Sequence, residues 1–307
     1  MGDLMHALPA LTEAKENIKK VSFDWVADKN FASVPKWHPS VDKVITTDHR
    51  NWKKQFFSKD SRQSLSNAIK EIDSNDYDLV VDMQNNLKSA FVSYLCKHEV
   101  VGMDAKSTRE FPAHWAYSDQ FSISKKMHAV DRQKLLLSKS LDYETNTKVN
   151  YGISKSSFKK PSINLPEDYM VIVQNASWKT KQWSIKNWKL LIKLLESKGK
   201  TVLIPSGDER ELLRAREICS ESTNSIALDI MSLNEVAYLI DQANFCICSD
   251  TGLAHLSAVV GTPSVTLYGP TKVNLIGTMG KDQAHITGHN NNINEISVSE
   301  VINEIPF

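Results

Sequence analysis

Residues 249–255, Ser-Asp-Thr-Gly-Leu-Ala-His, constrain the fold more than any other stretch of this chain, because they join a strand to a helix. The apolar run at 244–248 predicts a buried strand, and residues 253–260 predict a helix that Gly261 and Pro263 end. A further apolar run follows and predicts the next strand. Residues 249–255 are therefore expected to form the strand-to-helix turn of a β-α-β unit.

A turn of this kind lies at the carboxyl edge of a parallel sheet, where the free N–H groups of the helix favour a negatively charged ligand. The hydroxyl of Thr251 and the missing side chain of Gly252 suit a phosphate or diphosphate that approaches the backbone closely. A structural explanation is equally open at this point, with Asp250 as a helix N-cap and His255 as a packed helix residue.

The composition is that of a water-soluble globular protein, with 41% apolar and 24% charged residues in 307 positions. That length provides for one large or two medium-sized domains, and a net charge of +1 argues against a protein built mainly for nucleic acid. The four cysteines, Cys96, Cys219, Cys246 and Cys248, lack a paired metal-ligand spacing, which predicts a reduced, cytosolic protein. No apolar run approaches the roughly 20 residues that span a bilayer, so we expect any membrane contact to be peripheral.

Strand and helix patterns alternate along the whole chain, which predicts parallel sheets covered on both faces. In the first half, four helices are predicted: one over 4–18, one that ends near residue 72, one over 87–95 and one over 128–140. Strands are predicted at 22–26, 43–47, 79–82 and 100–101. In the second half, strands are predicted at 170–173, 201–204 and 226–228, each followed by a helix. Residues 144–168 are polar and without a period, so we predict two doubly wound domains, 1–150 and 151–307, with a cleft between them.

In open α/β sheets ligands bind beyond the carboxyl ends of the strands, so the loops that follow strands are the candidate sites. Four such loops are predicted in the second half: 174–183, 205–211, 231–232 and 249–255. The lysines and hydroxyls of the first could neutralise a diphosphate, acids of the second could hold a ribose, and the third could face a flat base. The loop 174–183 also fits a solvated basic loop, and the acids of 205–211 also fit a first helical turn, where acids are common because of the helix dipole. The motif Asp76-Tyr77-Asp78 could pair carboxylates around a metal, but it precedes its strand and is interpreted as a turn.

Candidate chemistry in the first half centres on Asp3, which follows a glycine at a helix start, where an ionised carboxylate is favoured and could act as a general base. Several of six basic residues in or beside loops could converge on an acidic substrate: Arg50, Lys53, Lys54, Lys88, Arg109 and Arg132. Trp52, Phe56 and Phe57 interleave with the first of them in the manner of a membrane-surface patch. A solvated face with a few core aromatics is the default interpretation of that segment.

The order and spacing of several short motifs make the chain resemble the ADP-heptose:lipopolysaccharide heptosyltransferases, most closely those that add the first heptose, over nearly its whole length. The motifs are Gly2-Asp3 with Leu8-Pro9-Ala10-Leu11, Phe23-Asp24-Trp25-Val26, Gly102-Met103-Asp104, Thr108-Arg109-Glu110, His128-Ala129-Val130-Asp131-Arg132, Lys181-Gln182-Trp183, Met231-Ser232-Leu233, Asp250-Thr251-Gly252-Leu253 with His255, and Tyr268-Gly269-Pro270-Thr271. The family implies an α/β GT-B fold of two Rossmann-like domains that face each other across a cleft, with the acceptor in the first and ADP-heptose in the second.

The resemblance implies an inverting glycosyltransferase that uses no metal or other cofactor and acts on Kdo-lipid A at the cytoplasmic face of the inner membrane. Asp3 would deprotonate a Kdo hydroxyl, which then displaces ADP from the anomeric carbon of ADP-heptose. By position, the diphosphate of the donor would meet Ser177, Lys181, Thr251 and Gly252. Glu211 would hold the ribose, and Met231 would lie beside the adenine. Asp250 would contact the heptose hydroxyls, and His255, with Leu253 in the same motif, would lie near the sugar phosphate. Arg50, Lys54 and Arg109 would meet the carboxylates and phosphates of the acceptor.

The sequence departs from the family at its start, because the family places an apolar strand before Gly-Asp and this sequence begins in the turn that follows it. We therefore expect a gap in the first sheet and a free amino group beside Asp3 that favours its ionised form. Asn51 and Ala176 also replace the family's usual arginine and hydroxyl. Two alternative functions stay open. One is transfer of the second heptose, which the loop 50–54 and the motif 128–132 disfavour. The other is non-catalytic binding of an ADP-sugar.

Overall fold

The computed structural model describes residues 1–48, 52 and 58–307, which divide into two compact units. The first unit ends at Ser154 and the second runs from Lys155 to Phe307. The polar segment 144–168 contains this division. Within the described residues, no helix is both long and apolar enough to cross a membrane.

The first unit is built from short parallel strands and helices. Its strands are β1 (Phe23–Asp28), β2 (Val41–Thr47), β3 (Val80–Val81), β4 (Val100–Met103) and β5 (Asp119–Phe121), and its helices are α1 (Gly2–Asn17), α2 (Ser33–Lys36), α3 (Lys59–Asp73), α4 (Leu87–Leu95) and α5 (Ala129–Leu141). The strands form two separate parallel sheets, β1-β2 and β3-β4-β5, which agrees with the gap expected from the sequence. The strand β5 was not predicted, because Asp-Gln-Phe contains no apolar run.

The second unit holds one six-stranded parallel sheet with the strand order β11-β10-β9-β6-β7-β8. Its strands are β6 (Met170–Val173), β7 (Val202–Ser206), β8 (Ser225–Ile230), β9 (Phe245–Ser249), β10 (Ser264–Tyr268) and β11 (Gln283–Thr287). Its helices are α6 (Ile185–Ser197), α7 (Glu209–Cys219), α8 (Leu233–Asp241), α9 (Gly252–Val260), α10 (Val273–Ile276) and α11 (Val298–Asn303). The predicted parallel α/β architecture is confirmed.

Burial of the central strands explains their continuous apolar sequence. Every residue of β6 and β9 is buried, and Ile172 and Ile247 belong to one core with Leu191 of α6. Trp183 and Trp188 pack edge to face in that core with ring centroids 4.9 Å apart. A strand covered by helices on both faces cannot alternate apolar and polar residues, so it is recognised by its unbroken apolar run.

The helix ends of the second unit follow the signals expected from the sequence. Ser232 and Glu235 form the predicted capping box at the start of α8. Gly261 ends α9 in the left-handed conformation, with φ of 86°, where a side chain would be strained. These ends place the loops between strands and helices within one or two residues of their predicted positions.

A buried ion pair fixes α1 against α5 in the first unit. The ammonium of Lys134 lies 3.4 Å from the carboxylate of Glu13, and both side chains are almost completely buried. Lys134 also donates to the carbonyls of Asn146 and Lys148, at 2.6 and 2.8 Å. Glu13 accepts from the backbone N–H of Asn146 at 2.6 Å. The pair therefore joins the two helices to the segment that leaves the first unit.

Replacing Lys134 by Met should destabilise the first unit by about 3 kcal/mol, because the Glu13 carboxylate would remain buried without a cation. The double variant Glu13→Gln/Lys134→Met should recover much of that loss, since the amide oxygen still accepts from Asn146 and carries no charge. Urea unfolding of the single and double variants measures both effects. Equal losses in the two variants would contradict this account of the pair.

Candidate active site

The order of the strands in the second unit decides which of its loops are neighbours. Strands β10, β9, β6, β7 and β8 follow one another across the parallel sheet, so the loops after them open along one edge in the same order. From β10 to β8 the site residues along that edge are Thr271, then Asp250 and Thr251, then Ser177 and Lys181, then Glu211, then Met231. Neighbouring strands lie about 4.8 Å apart, so the row from β9 to β8 spans roughly 14 Å.

Asp250, directly after β9, is the most enclosed charged group of this edge. Its carboxylate accepts from the ammonium of Lys181 at 2.7 Å and from the hydroxyl of Thr271. The side chain of Asp250 is 6% exposed, and that of Lys181 is 22% exposed. Because β9 lies between β6 and β10, one carboxylate binds donors from the loops on both sides. A side chain at Gly269 would stand 2.8 Å from the carbonyl of Thr180, so these two loops touch.

The interpretation of Asp250 as a helix cap is wrong. Thr251 is the N-cap of α9, since its hydroxyl accepts from the N–H of Leu253 at 3.1 Å. Asp250 is turned instead to Lys181, which leaves its carboxylate at the sheet edge. Gly252 opens the nine-residue helix, whose positive end lies beside that carboxylate. His255 is buried within the helix, which agrees with a packed helix residue.

The remaining donor candidates lie farther along the edge. Glu211, in the first turn of α7, accepts from the N–H of Gly207 at 2.7 Å, so its carboxylate faces the loop after β7. Ser177 is exposed in the loop after β6, and Met231 is half-buried just before the cap of α8. The structure therefore brings the predicted donor residues to one edge. Their roles toward a ligand stay predictions.

Gln174 and Arg214 join the loop after β6 to helix α7, and sequence reasoning missed both roles. Arg214 donates from Nε to the side-chain oxygen of Gln174 at 2.6 Å and from Nη2 to the carbonyl of Trp183 at 2.7 Å. Gln174 is buried and donates to the carbonyl of Glu211 at 3.2 Å. Burial lowers the pKa of Arg214 below its usual range. The signal available in the sequence was a polar residue directly after a buried strand, but its partner lies 40 positions away.

In the first unit, Asp3 and Arg109 form an ion pair with 2.6 Å between Oδ2 and Nη1. The side chains are 41% and 54% exposed, so the pair is open to solvent. Partial burial would raise the pKa of Asp3, but the charge and hydrogen bond of Arg109 outweigh it, with a smaller contribution from His6. The pKa of Asp3 therefore lies below its ordinary value, and the carboxyl group is ionised at neutral pH.

Of the other basic candidates, the structure describes Arg132 and Lys88. Arg132 is half-buried and donates to the carbonyl of Ser107, so it supports the loop that carries Arg109. Lys88 is exposed in the first turn of α4. Arg50, Lys53 and Lys54 lie outside the described residues.

Within the segment 50–57, for which a membrane-surface patch is one interpretation, Trp52 is the residue that the structure describes. That side chain is 5% exposed and packs with Ile45, Ala68, Ile72 and Val92. Trp52 is therefore a core aromatic, as the default interpretation held. Phe56 and Phe57 lie outside the described residues.

The motif Asp76-Tyr77-Asp78 lies before β3, at the amino end of the strand, where it was predicted to form a turn. Tyr77 donates its hydroxyl to Asp24 at 2.8 Å. Among the described residues no group of three or more histidines, cysteines and acids is arranged to hold a metal ion.

Known proteins match this chain over most of its length. The model of glycosyltransferase family 9 (heptosyltransferase) matches residues 65–304. Lipopolysaccharide heptosyltransferase 1 of Salmonella typhimurium is 35% identical over 307 residues, which cover 99% of this chain and 96% of that protein.

Two solved structures extend the match to three dimensions. The E. coli heptosyltransferase WaaC with ADP is 34% identical, with a TM-score of 0.91 over 99% of this chain and 95% of that chain. The same enzyme with ADP-2-deoxy-2-fluoro heptose is 33% identical, with a TM-score of 0.89 and the same coverage. The similarity in fold confirms the GT-B class predicted from the sequence. The chain therefore belongs to glycosyltransferase family 9, the heptosyltransferases.

Proposed function

We propose that this chain is an inverting glycosyltransferase that transfers heptose from ADP-heptose to a Kdo residue of Kdo-lipid A, in the synthesis of the lipopolysaccharide inner core. The observation that carries the proposal is the order of groups along the sheet edge of the second unit. Asp250, Lys181, Glu211 and Met231 follow β9, β6, β7 and β8. A sugar, a diphosphate, a ribose and an adenine follow one another in the same order in ADP-heptose.

Binding of the donor is proposed to replace the ion pair between Lys181 and Asp250. The ammonium of Lys181 is bound to Asp250 at 2.7 Å. A diphosphate carries more negative charge than one carboxylate, and it attracts both Lys181 and the positive end of α9. The Asp250 carboxylate is then released to accept hydrogen bonds from heptose hydroxyls. The same two positive groups stabilise the charge that ADP gains as it leaves.

The proton of the acceptor passes to Asp3. The Kdo hydroxyl oxygen forms a bond to the anomeric carbon of heptose while the bond from that carbon to ADP breaks on the opposite face, which inverts its configuration. The Asp3 carboxylate takes the hydroxyl proton, and the leaving ADP takes the electron pair. Asp3 is ionised beforehand because Arg109 is bound to it. Anionic groups of the acceptor compete for Arg109 and so free the carboxylate for the hydroxyl.

The acceptor and the place of action rest on the family resemblance. Arg50 and Lys54 are proposed to join Arg109 in binding the carboxylates and phosphates of the acceptor. Lipid A is anchored in a bilayer, so the proposal places the reaction at the cytoplasmic face of the inner membrane of a Gram-negative cell. The similar E. coli enzyme WaaC has been solved with ADP-2-deoxy-2-fluoro heptose, which supports the nucleotide-sugar part of this proposal.

Incubation of Kdo-lipid A with ADP-heptose and the chain, followed by mass spectrometry of the lipid, tests the reaction directly. We expect a gain of one heptose, undiminished in excess EDTA because no metal is part of the proposed mechanism. A heptose-ended acceptor serves as the comparison, and it should gain little. Preferred reaction of the heptose-ended acceptor would instead assign the chain to transfer of the second heptose, and no gain on either acceptor would contradict a transferase.

Replacing Asp3 by Asn should lower turnover at least about 100-fold, because the amide cannot accept the proton. Affinity for ADP, measured by calorimetry, should stay unchanged, since none of the residues proposed to bind ADP is altered and the amide keeps the shape of the carboxylate. Asp60→Asn is the matched control, because Asp60 is another exposed acid in a first helical turn of the same unit. Unaltered turnover in the Asp3 variant would remove Asp3 as the base.

Replacing Lys181 by Met should weaken ADP binding at least about tenfold, because the diphosphate loses its cation while the buried Asp250 carboxylate stays beside it. Lys179→Met is the matched control, since Lys179 lies in the same short helical turn and is exposed. Calorimetric titration with ADP measures both variants. Equal losses in the two would mean that only the general charge of the loop matters.

A further inference from the structure

Asn85 adopts a conformation that few buried residues accept. Five residues other than glycine have a left-handed backbone in the described chain: Asn85, Asp142, Asp282, Asn290 and Asn291. Asn85 is 2% exposed, whereas the other four are exposed. Left-handed backbone is unfavourable for a residue with a side chain, although asparagine tolerates it best, and a buried amide requires hydrogen bonds.

The amide of Asn85 ties together the ends of two neighbouring strands. Its oxygen accepts from the N–H of Met103, the last residue of β4, at 2.6 Å. Its nitrogen donates to the carbonyl of Asp82, directly after β3, at 2.6 Å. The carboxylate of Asp82 in turn accepts from the N–H of Asn85 at 2.9 Å and from the hydroxyl of Tyr117 at 2.7 Å. The turn 82–86 is thus held in one shape from inside.

The left-handed backbone of Asn85 presents its carbonyl to the loop that carries Arg109. That carbonyl accepts from the N–H of Arg109 at 2.9 Å and from the hydroxyl of Thr108 at 3.0 Å. A second connection runs the other way, since the carboxylate of Glu110 accepts from the N–H of Leu87 at 2.9 Å. The residues on both sides of Arg109 are therefore bound to the turn 82–87.

The start of the same loop is held by other groups. The carboxylate of Asp104 accepts from the N–H of Ser107 at 2.8 Å, and the hydroxyl of Ser107 accepts from the N–H of Ile123 at 2.7 Å. These contacts fix residues 104–107 whether or not Asn85 is present. The backbone of Arg109 itself depends on the carbonyl of Asn85.

We propose that Asn85 is a positioning residue for Arg109, whose guanidinium pairs with Asp3 and is proposed to bind the acceptor in the transfer reaction. The inference rests on the proposed function for its catalytic consequence. Its structural part stands separately, since it concerns only how the loop 104–110 is held. Asn85 is buried, and it acts by fixing the backbone from which the guanidinium of Arg109 reaches Asp3 or an anionic acceptor.

Asn85→Gly isolates the role of the amide, because glycine adopts the same backbone conformation without strain. The acceptor efficiency, kcat/KM, should fall about tenfold, since misplacement of a catalytic group by 1 Å can cost on the order of 100-fold. The KM for ADP-heptose should not change. In an Arg109→Gln background, where the positioned guanidinium is already lost, Asn85→Gly should lower kcat/KM by less than about twofold, as expected for two residues that act as one unit.

Thr108 provides a second test from the other end of the contact. Thr108→Val removes the hydroxyl that binds the Asn85 carbonyl at nearly constant shape, and Thr108→Ser keeps it. We expect Thr108→Val to lower acceptor efficiency and Thr108→Ser to restore it. Asp142→Gly is the matched control, because it also replaces a left-handed residue of the first unit by glycine and should leave activity unchanged.

Hydrogen exchange measured by mass spectrometry supplies a readout that does not require activity. Asn85→Gly and Thr108→Val should speed exchange in the peptide 104–110 while the rest of the first unit stays protected. Faster exchange throughout that unit, or an equal loss of efficiency with and without Arg109, would overturn the proposal, because Asn85 would then support the fold in general. Absence of transfer by the unmodified chain would instead refute the proposed function, and local exchange would still decide whether Asn85 holds the loop.

Discussion

Burial of strands β6 and β9 is the constraint on which the second unit depends. All their residues are buried, so the backbone N–H and carbonyl groups of these strands must find hydrogen-bond partners inside the protein. Parallel pairing meets that requirement and directs all carboxyl ends to one edge. Since β9 then lies between β6 and β10, Asp250 is brought within reach of Lys181 and Thr271. The polar site is a consequence of how the apolar strands are ordered.

Each unit holds a carboxylate that is already paired with a cation, Asp250 with Lys181 and Asp3 with Arg109. Such a pair holds both charged side chains in place, which reduces the ordering required on binding. It also means that a substrate must replace an interaction as well as form one. An anionic ligand can do so because it provides the cation with a stronger partner and releases the carboxylate for hydroxyl groups. The proposed donor and acceptor both have this combination of anionic groups and hydroxyls.

The sequence predicted elements well where burial dictates composition and poorly where it does not. Apolar runs located β6, β9 and α9 to within one or two residues, and the cap signals at Ser232 and Gly261 correctly marked the start of α8 and the end of α9. The short strand β5 escaped because it is polar and lies at a sheet edge. The loops of the site were predictable from their position after strands, but the hydrogen-bond and ion-pair partners of their side chains were not. Lys181 with Asp250, Arg214 with Gln174 and Asn85 with Arg109 are distant in sequence, and strand order alone brings them together.

The two ion pairs differ in burial, and the difference bears on how substrates exchange with them. The Asp250 side chain is 6% exposed, so its attraction to Lys181 acts through a poorly screened medium, and a ligand that takes Lys181 must also satisfy the buried carboxylate. The Asp3 and Arg109 side chains are 41% and 54% exposed, where water and salt weaken the attraction to at most about 1 kcal/mol. Under the proposed function, an anionic acceptor would therefore draw Arg109 from Asp3 easily, whereas Lys181 would leave Asp250 only for a ligand that supplies both a diphosphate and hydroxyl donors. The proposed donor site would then select the whole ADP-sugar, and the proposed acceptor site would respond to charge first.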